Sequence, residues 1–187
     1  MELFLVILLI VAVVAVLGAI VFYNGLVRKR NTVDEALAQI EVQLKRRHDL
    51  VPNLVAAVRD YMSFEQDVLT KVTEARANAV AAGAKGVSEQ SAAENQLTGA
   101  LRSLFAVAEN YPTLKANENV LSLQEQLTTT ENQISFARQH YNATVNEYNT
   151  TIQTIPSVLI AGPLGFMRRE FFDAEPEADQ VPAVSLR

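Results

Sequence analysis

Side chains able to do chemistry are few in this chain, and their spacing suits no known catalytic set. Only two histidines occur, His48 and His140, and neither stands in an H-E-x-x-H or comparable metal-ligand spacing. Glu35, Glu41, Glu65, Glu74, Glu131 and Glu147 could offer oxygen ligands to a hard cation inside a helical bundle. Two-metal carboxylate bundles, however, take a Glu-x-x-His pair from each of two helices, and no such pair exists here. The absence of cysteine excludes a thiolate nucleophile, a thiolate metal site and a disulfide. There is no glycine-rich phosphate loop, G-x-S-x-G elbow or dinucleotide fingerprint. The acids therefore read as solvated helix faces. No catalytic residue, cofactor or metal site is expected.

What stands out instead is a set of polar residues at positions that should be apolar. Arg47 and Glu65 fall on a helical stripe where an apolar residue is due. Each either snorkels from the bundle edge or reaches a polar partner inside, such as the other or a tyrosine hydroxyl. The pair Tyr-Asn occurs twice, at Tyr141-Asn142 and Tyr148-Asn149, seven residues apart. Seven residues are two helical turns, so both tyrosines leave the helix on nearly the same side. An aromatic at stripe spacing packs a core more often than it lines a ligand cage. Both rings are expected to be buried, with Asn142 and Asn149 bonding across to a neighbouring helix.

The elements that must position these residues begin with an apolar run. Leu3 to Tyr23 reads LFLVILLIVAVVAVLGAIVFY without a charge. About 20 such residues, at ~1.5 Å rise each, cross a hydrocarbon layer of about 30 Å. Residues 1–24 are thus expected to form a single transmembrane helix and not a cleaved signal, because no basic start precedes the run. Arg28, Lys29, Arg30, Lys45, Arg46 and Arg47 follow it, which predicts an outside N-terminus and a cytoplasmic domain. Ala12, Ala15, Gly18 and Ala19 allow close approach of a second span. The net charge of -5 argues against a nucleic-acid partner. The expected partners are the lipid bilayer and either a second copy of the chain or another membrane protein.

Beyond the span, residues 25–156 read as one helical domain. Val33, Leu37, Ile40, Leu44, Val51, Leu54, Val58, Tyr61, Val68, Val72 and Ala75 form a helical stripe interrupted by Pro52. Proline lacks the N–H that would bond to His48, so the helix bends or ends there. With Asp49 as an N-cap, "RHDLVP" predicts a reversal near Asp49 to Pro52. "AAGAKGVSEQSAAE", residues 81–94, reads as a loop, with Ser91 and Glu94 as a capping box for the next helix. That helix carries Leu97, Leu101, Leu104 and Ala108 and stops before Pro112. Asn117 caps the last helix, whose stripe runs Val120, Leu123, Leu127, Thr130, Ile134, Ala137, Tyr141, Thr144, Tyr148, Thr151 and Ile155 up to Pro156.

Three stretches together resemble the LemA family of bacterial membrane proteins: "YNGLVRKRNTVDEALAQIEVQLKRRHDLVPNLV", "FEQDVLTKVTEAR" and "ARQHYNATVNEYNTTIQTIPSVLIAGPLGF". The resemblance implies an all-α fold, an antiparallel up-and-down four-helix bundle behind a transmembrane helix, in a bacterial cell membrane. It brings no catalytic residues. The functional expectation is a non-enzymatic scaffold or interaction module, the alternative a membrane-tethered sensor that binds a small molecule or lipid. Residues 157–187 form an apolar membrane-proximal segment and a mobile acidic tail. In the former, Leu159, Ile160, Leu164 and Phe166 are expected at the membrane surface, provided the last helix runs back towards the bilayer.

Overall fold

The computed structural model describes residues 1–62 and 65–172, except for the side chain of Ala15. The expected mobile tail lies, from residue 173, outside the described residues. Among those described, every regular element is a helix: α1 (Glu2–Arg59), α2 (Gln66–Ala82), α3 (Val87–Ala108), α4 (Pro112–Lys115), α5 (Glu118–Gln153) and α6 (Val158–Ala161). The residues divide into two compact units. The first takes Met1–Gln39 of the chain with Gln139–Arg169, and the second takes Ile40–Arg138 with, of the described residues, Glu170 to Phe172.

α1 is a single helix of 58 residues. Among the described residues of its apolar N-terminal part none is buried, and that part is long enough to cross a membrane. A helix suits that environment because it satisfies every backbone polar group internally. No break separates this part from the amphipathic part that follows, where Leu26, Val33, Ala36, Ile40 and Leu44 are buried at helical intervals.

The expected reversal at Asp49 to Pro52 does not occur. α1 passes through Pro52 and ends at Arg59, and the chain leaves helical geometry only after it. Two facts explain the difference. The buried positions Ile40, Leu44, Arg47, Val51, Leu54 and Val58 keep their three-and-four spacing across the proline, so ending the helix there would strand Val51, Leu54 and Val58. The carbonyl that Pro52 leaves without its helical partner, that of His48, accepts a 2.7 Å hydrogen bond from Arg76 Nε of α2. A side chain from a neighbouring helix thus replaces the missing main-chain donor.

The second unit has a core of Val51, Leu54, Val58 and Met62 from α1 and its end, Leu69 and Val72 from α2, Leu97, Leu101 and Leu104 from α3, and Val120 and Leu127 from α5. The link between α2 and α3 is shorter than expected, since α3 already begins at Val87. Gly86, at φ +120°, makes the turn into α3, in a conformation that side-chain-bearing residues rarely adopt. Ser91 and Glu94 are therefore not caps; both are buried within α3. Asn117 does cap α5, its Oδ1 accepting from the N–H groups of Asn119 at 3.0 Å and Val120 at 3.3 Å. At the far end of α5 the buried set shifts to Tyr141, Val145, Tyr148, Asn149 and Ile152, and Ile155 is 82% exposed. α5 ends at Gln153, so Ile155 lies in the turn beyond the helix and off its core face.

The Pro52 arrangement predicts a measurable coupling. Arg76→Met is expected to lower unfolding stability by roughly 1 to 3 kcal/mol, the range for a lost charge-assisted hydrogen bond. Pro52→Ala restores the main-chain donor, and in that background the Arg76→Met loss should shrink. Denaturant unfolding of the four proteins, followed by helical circular dichroism, measures the coupling.

Candidate functional site

The second unit contains a charge that water does not reach. Arg47, on α1, is completely buried. Its Nη2 is ion-paired with Glu94 of α3, equally buried, and its Nη1 with the half-exposed Glu131 of α5. Nη1 also donates to Thr98 Oγ1 at 2.9 Å, and that hydroxyl donates to Glu131 Oε1 at 3.3 Å. The second Glu94 oxygen, Oε1, meets His48 Nε2 at 2.8 Å. Arg76, which holds the His48 carbonyl, brings α2 to the same place. One cluster therefore draws on α1, α2, α3 and α5.

The electrostatics follow from the burial. Desolvation alone would push the Glu94 carboxyl up, but the His48 hydrogen bond and the Arg47 guanidinium outweigh it and hold the group below its ordinary 4.5. Arg47 occupies the space between two carboxylates where a bound cation would otherwise sit. Among the described residues no three His, Asp or Glu side chains gather in a way that could hold a metal ion. Beside the pair Arg47–Glu131 lies a cleft of about 160 Å³, bordered by Thr98, Arg102, Phe105, Thr128 and Asn132.

The first unit carries the Tyr-Asn repeat. Tyr141 and Tyr148 are both buried, as their stripe position requires. The Tyr148 hydroxyl donates to the Met167 carbonyl at 3.0 Å. Burial pushes this phenol above its usual 10.0, with Asp34 adding to the effect and Arg169 and Arg30 opposing it. Asn149 does not bond across to a helix. Its amide pairs with the backbone of Arg169 instead, Nδ2 donating to the carbonyl and Oδ1 accepting from the N–H, both at 2.8 Å. Asn142 is half-buried.

The sequence profile of the LemA family matches residues 36–186, most of the chain. The chain belongs to the LemA family. No curated protein matches it. In this LemA family chain the matched span takes in every member of the ionic cluster and both Tyr-Asn pairs.

The residues singled out from sequence fall into three groups. Arg47 reaches polar partners inside, but they are Glu94 and Glu131, not Glu65. Glu65 sits at the N-cap position of α2, half-buried, 3.5 Å from the Tyr111 hydroxyl, and is no member of the cluster. Pro52 lies mid-helix, and Pro156 lies in the exposed turn after α5. Of the membrane-surface candidates, Leu159 and Leu164 are exposed and Ile160 is half-buried. Phe166 is a correction: only 6% exposed, it stacks edge-on against Tyr23 at 5.8 Å and lies under the Arg30 guanidinium. Glu94, the central acid, reads from sequence only as the second half of a capping box. Its signal is present nonetheless, because Gln90, Glu94, Leu97, Leu101 and Leu104 share the three-and-four spacing of one helix face.

Two outcomes follow for LemA family chains built this way. Glu94→Ala leaves Arg47 buried with only Glu131 opposite and should cost about 3 to 5 kcal/mol, whereas the double change Arg47→Met with Glu94→Leu should cost much less. Because the folded Glu94 carboxyl lies below 4.5, its ionised form stabilises the fold above that pH and loses this contribution as pH falls through the folded value. The stability gap between the parent and Glu94→Gln, read from urea midpoints, should therefore be widest near neutrality and narrow below pH 4.5. A gap that stays constant with pH would contradict this assignment.

Proposed function

We propose that the chain is a non-enzymatic, membrane-anchored helical scaffold that associates with itself or docks onto other membrane proteins. The observation that carries this reading is the internal use of its polar chemistry. Arg47 is bonded to Glu94, Glu131 and Thr98, and Tyr148 and Asn149 to backbone carbonyls, so these groups hold helices and segments together. The sensor reading has less support. The cleft beside Arg47 is about 160 Å³, and the wider ones, about 560 Å³ beside Arg59 and Gln66 and about 310 Å³ beside Leu114 and Val120, are bordered by neither a tyrosine nor an asparagine.

The same proposal includes the finer architecture and topology. An antiparallel four-helix arrangement of α1, α2, α3 and α5 in the second unit is supported by paired contacts. Along α1, Arg47 meets Glu131 and Tyr61, just past its end, meets Asn117, so α5 runs down as α1 runs up. Between α3 and α5, Thr98 meets Glu131 and Asn95 meets Arg138, again in opposite senses. The basic residues Arg28, Lys29 and Arg30 after the apolar run favour an outside N-terminus and a cytoplasmic domain in a single-pass bacterial membrane protein.

Self-association is testable at the span. A side chain added at Gly18 would meet nothing within 4 Å in its own chain, so that surface is open to a second helix. Light scattering in mild detergent should give a particle heavier than one 20.6 kDa chain, and Gly18→Ile should shift it towards a single chain. A one-chain mass in every detergent and at every concentration, with no membrane protein co-purifying, counts against both forms of the proposal.

A further inference from the structure

The first unit joins the end of the apolar run to the segment that follows α5, and the contact is specific. Phe166 packs on Tyr23, the last residue of the run, with ring centroids 5.8 Å apart and planes at 70°. The Arg30 guanidinium lies 5.5 Å from the same ring. Three further ties hold the segment: the Tyr148 hydroxyl on the Met167 carbonyl, the Asn149 amide on both main-chain groups of Arg169, and the Arg169 guanidinium on Asp34 at 2.7 Å. The backbone of residues 166–169 is thereby fixed beside the membrane-proximal end of α1.

The chain that leads from α5 into this fixed stretch displays apolar side chains. Ile155 is 82% exposed, Leu159 71%, Leu164 52% and Met167 78%, within thirteen positions of chain. Single exposed apolar residues need no explanation, but a cluster of them rimmed by charge marks an interaction surface. The rim is basic: Arg28, Lys29 and Arg30 on α1, Arg168 and Arg169 on the segment. The carboxylates facing it are engaged, Asp34 with Arg169 and Glu147 with Lys29. Tyr23, which is exposed, is of a residue type that favours the boundary between hydrocarbon and headgroups.

We propose that Ile155 to Arg169 is a second membrane contact: an interfacial foot in which Leu159 and Leu164 enter the acyl boundary while Arg168 faces anionic headgroups. The occupant is the bilayer that α1 crosses, because Phe166 ties the foot to the residue at which the apolar run ends. This inference rests on the reading of Leu3 to Tyr23 as a span. An apolar wedge with basic flanks sinks its apolar side chains into the headgroup and acyl boundary, and its binding strengthens with anionic lipid.

The test uses the full chain, which has no native cysteine to remove. Single variants Leu164→Cys and Leu159→Cys carry an environment-sensitive fluorophore, and Leu8→Cys serves as the span control. Each is reconstituted into phosphatidylcholine vesicles with and without phosphatidylglycerol, containing quenchers attached at shallow or deep positions of the acyl chain. Labels at positions 164 and 159 should shift to the blue and lose emission most to the shallow quencher, and the loss should grow with phosphatidylglycerol and fall again on Arg168→Gln. The label at position 8 should respond most to the deep quencher. A position 8 label that is quenched beside a position 164 label that is not would overturn the foot and leave the span standing. If neither responds, both readings fail. Emission at position 164 that tracks protein concentration and not lipid would assign the surface to a second copy and overturn the proposal, and indifference to phosphatidylglycerol would overturn its anionic half.

Discussion

A guanidinium without water must be surrounded by acceptors, and the second unit is organised around that requirement. Arg47 stands on a face of α1 that is otherwise Ile40, Leu44, Val51, Leu54 and Val58. Removing such a charge from water costs several kcal/mol, and the cost is offset only when geometry and hydrogen bonding are close to complete. Glu94, Glu131 and Thr98 supply the acceptors for Nη1 and Nη2, and among the described residues only Nε of the guanidinium is left without one. Since these come from α3 and α5, the charge admits few alternative registers: one turn along α3 from Glu94, about 5.4 Å, the buried side chains are Gln90 and Leu97, and neither is an acid. Apolar stripes alone would tolerate such slips far better.

The Pro52 site extends the same principle to the backbone. A proline in a helix creates an orphan carbonyl one turn earlier, and here that carbonyl belongs to His48, whose ring already faces Glu94. Arg76 fills the gap from α2. The local breaker thus becomes a point of attachment between helices.

Much of this was readable from residue spacing, and the failures have physical causes. The long apolar helix at the N-terminus, the helical phase of α1 and α5 and the burial of Tyr141 and Tyr148 follow from periodicity, which tertiary packing reinforces, and the Asn117 cap follows from residue type. The turn at Pro52 was misplaced because local rules weigh the lost hydrogen bond but not a donor 28 residues away. The capping-box reading of Ser91 and Glu94 failed for a related reason. Their spacing fits a cap and a core face equally well, and only the presence of Arg47 on another core face distinguishes the two. Two opposite charges, each alone on an apolar stripe, are a pairing signal that no single-helix rule contains. The partners of Asn149 could not be foreseen at all, since they are main-chain groups of a segment without regular structure.

The ionic cluster also sets an order of events during synthesis. Arg47 lies 47 residues from Glu94 and 84 from Glu131. During synthesis Arg47 emerges before either acid, because both lie later in the chain. Until α3 and α5 emerge, the arginine stays hydrated and the apolar stripe around it cannot close, because closing would strand the charge. Closure of the second unit is therefore a late, long-range step, and a chain that stops before Glu131 leaves Arg47 with Glu94 as its one carboxylate partner.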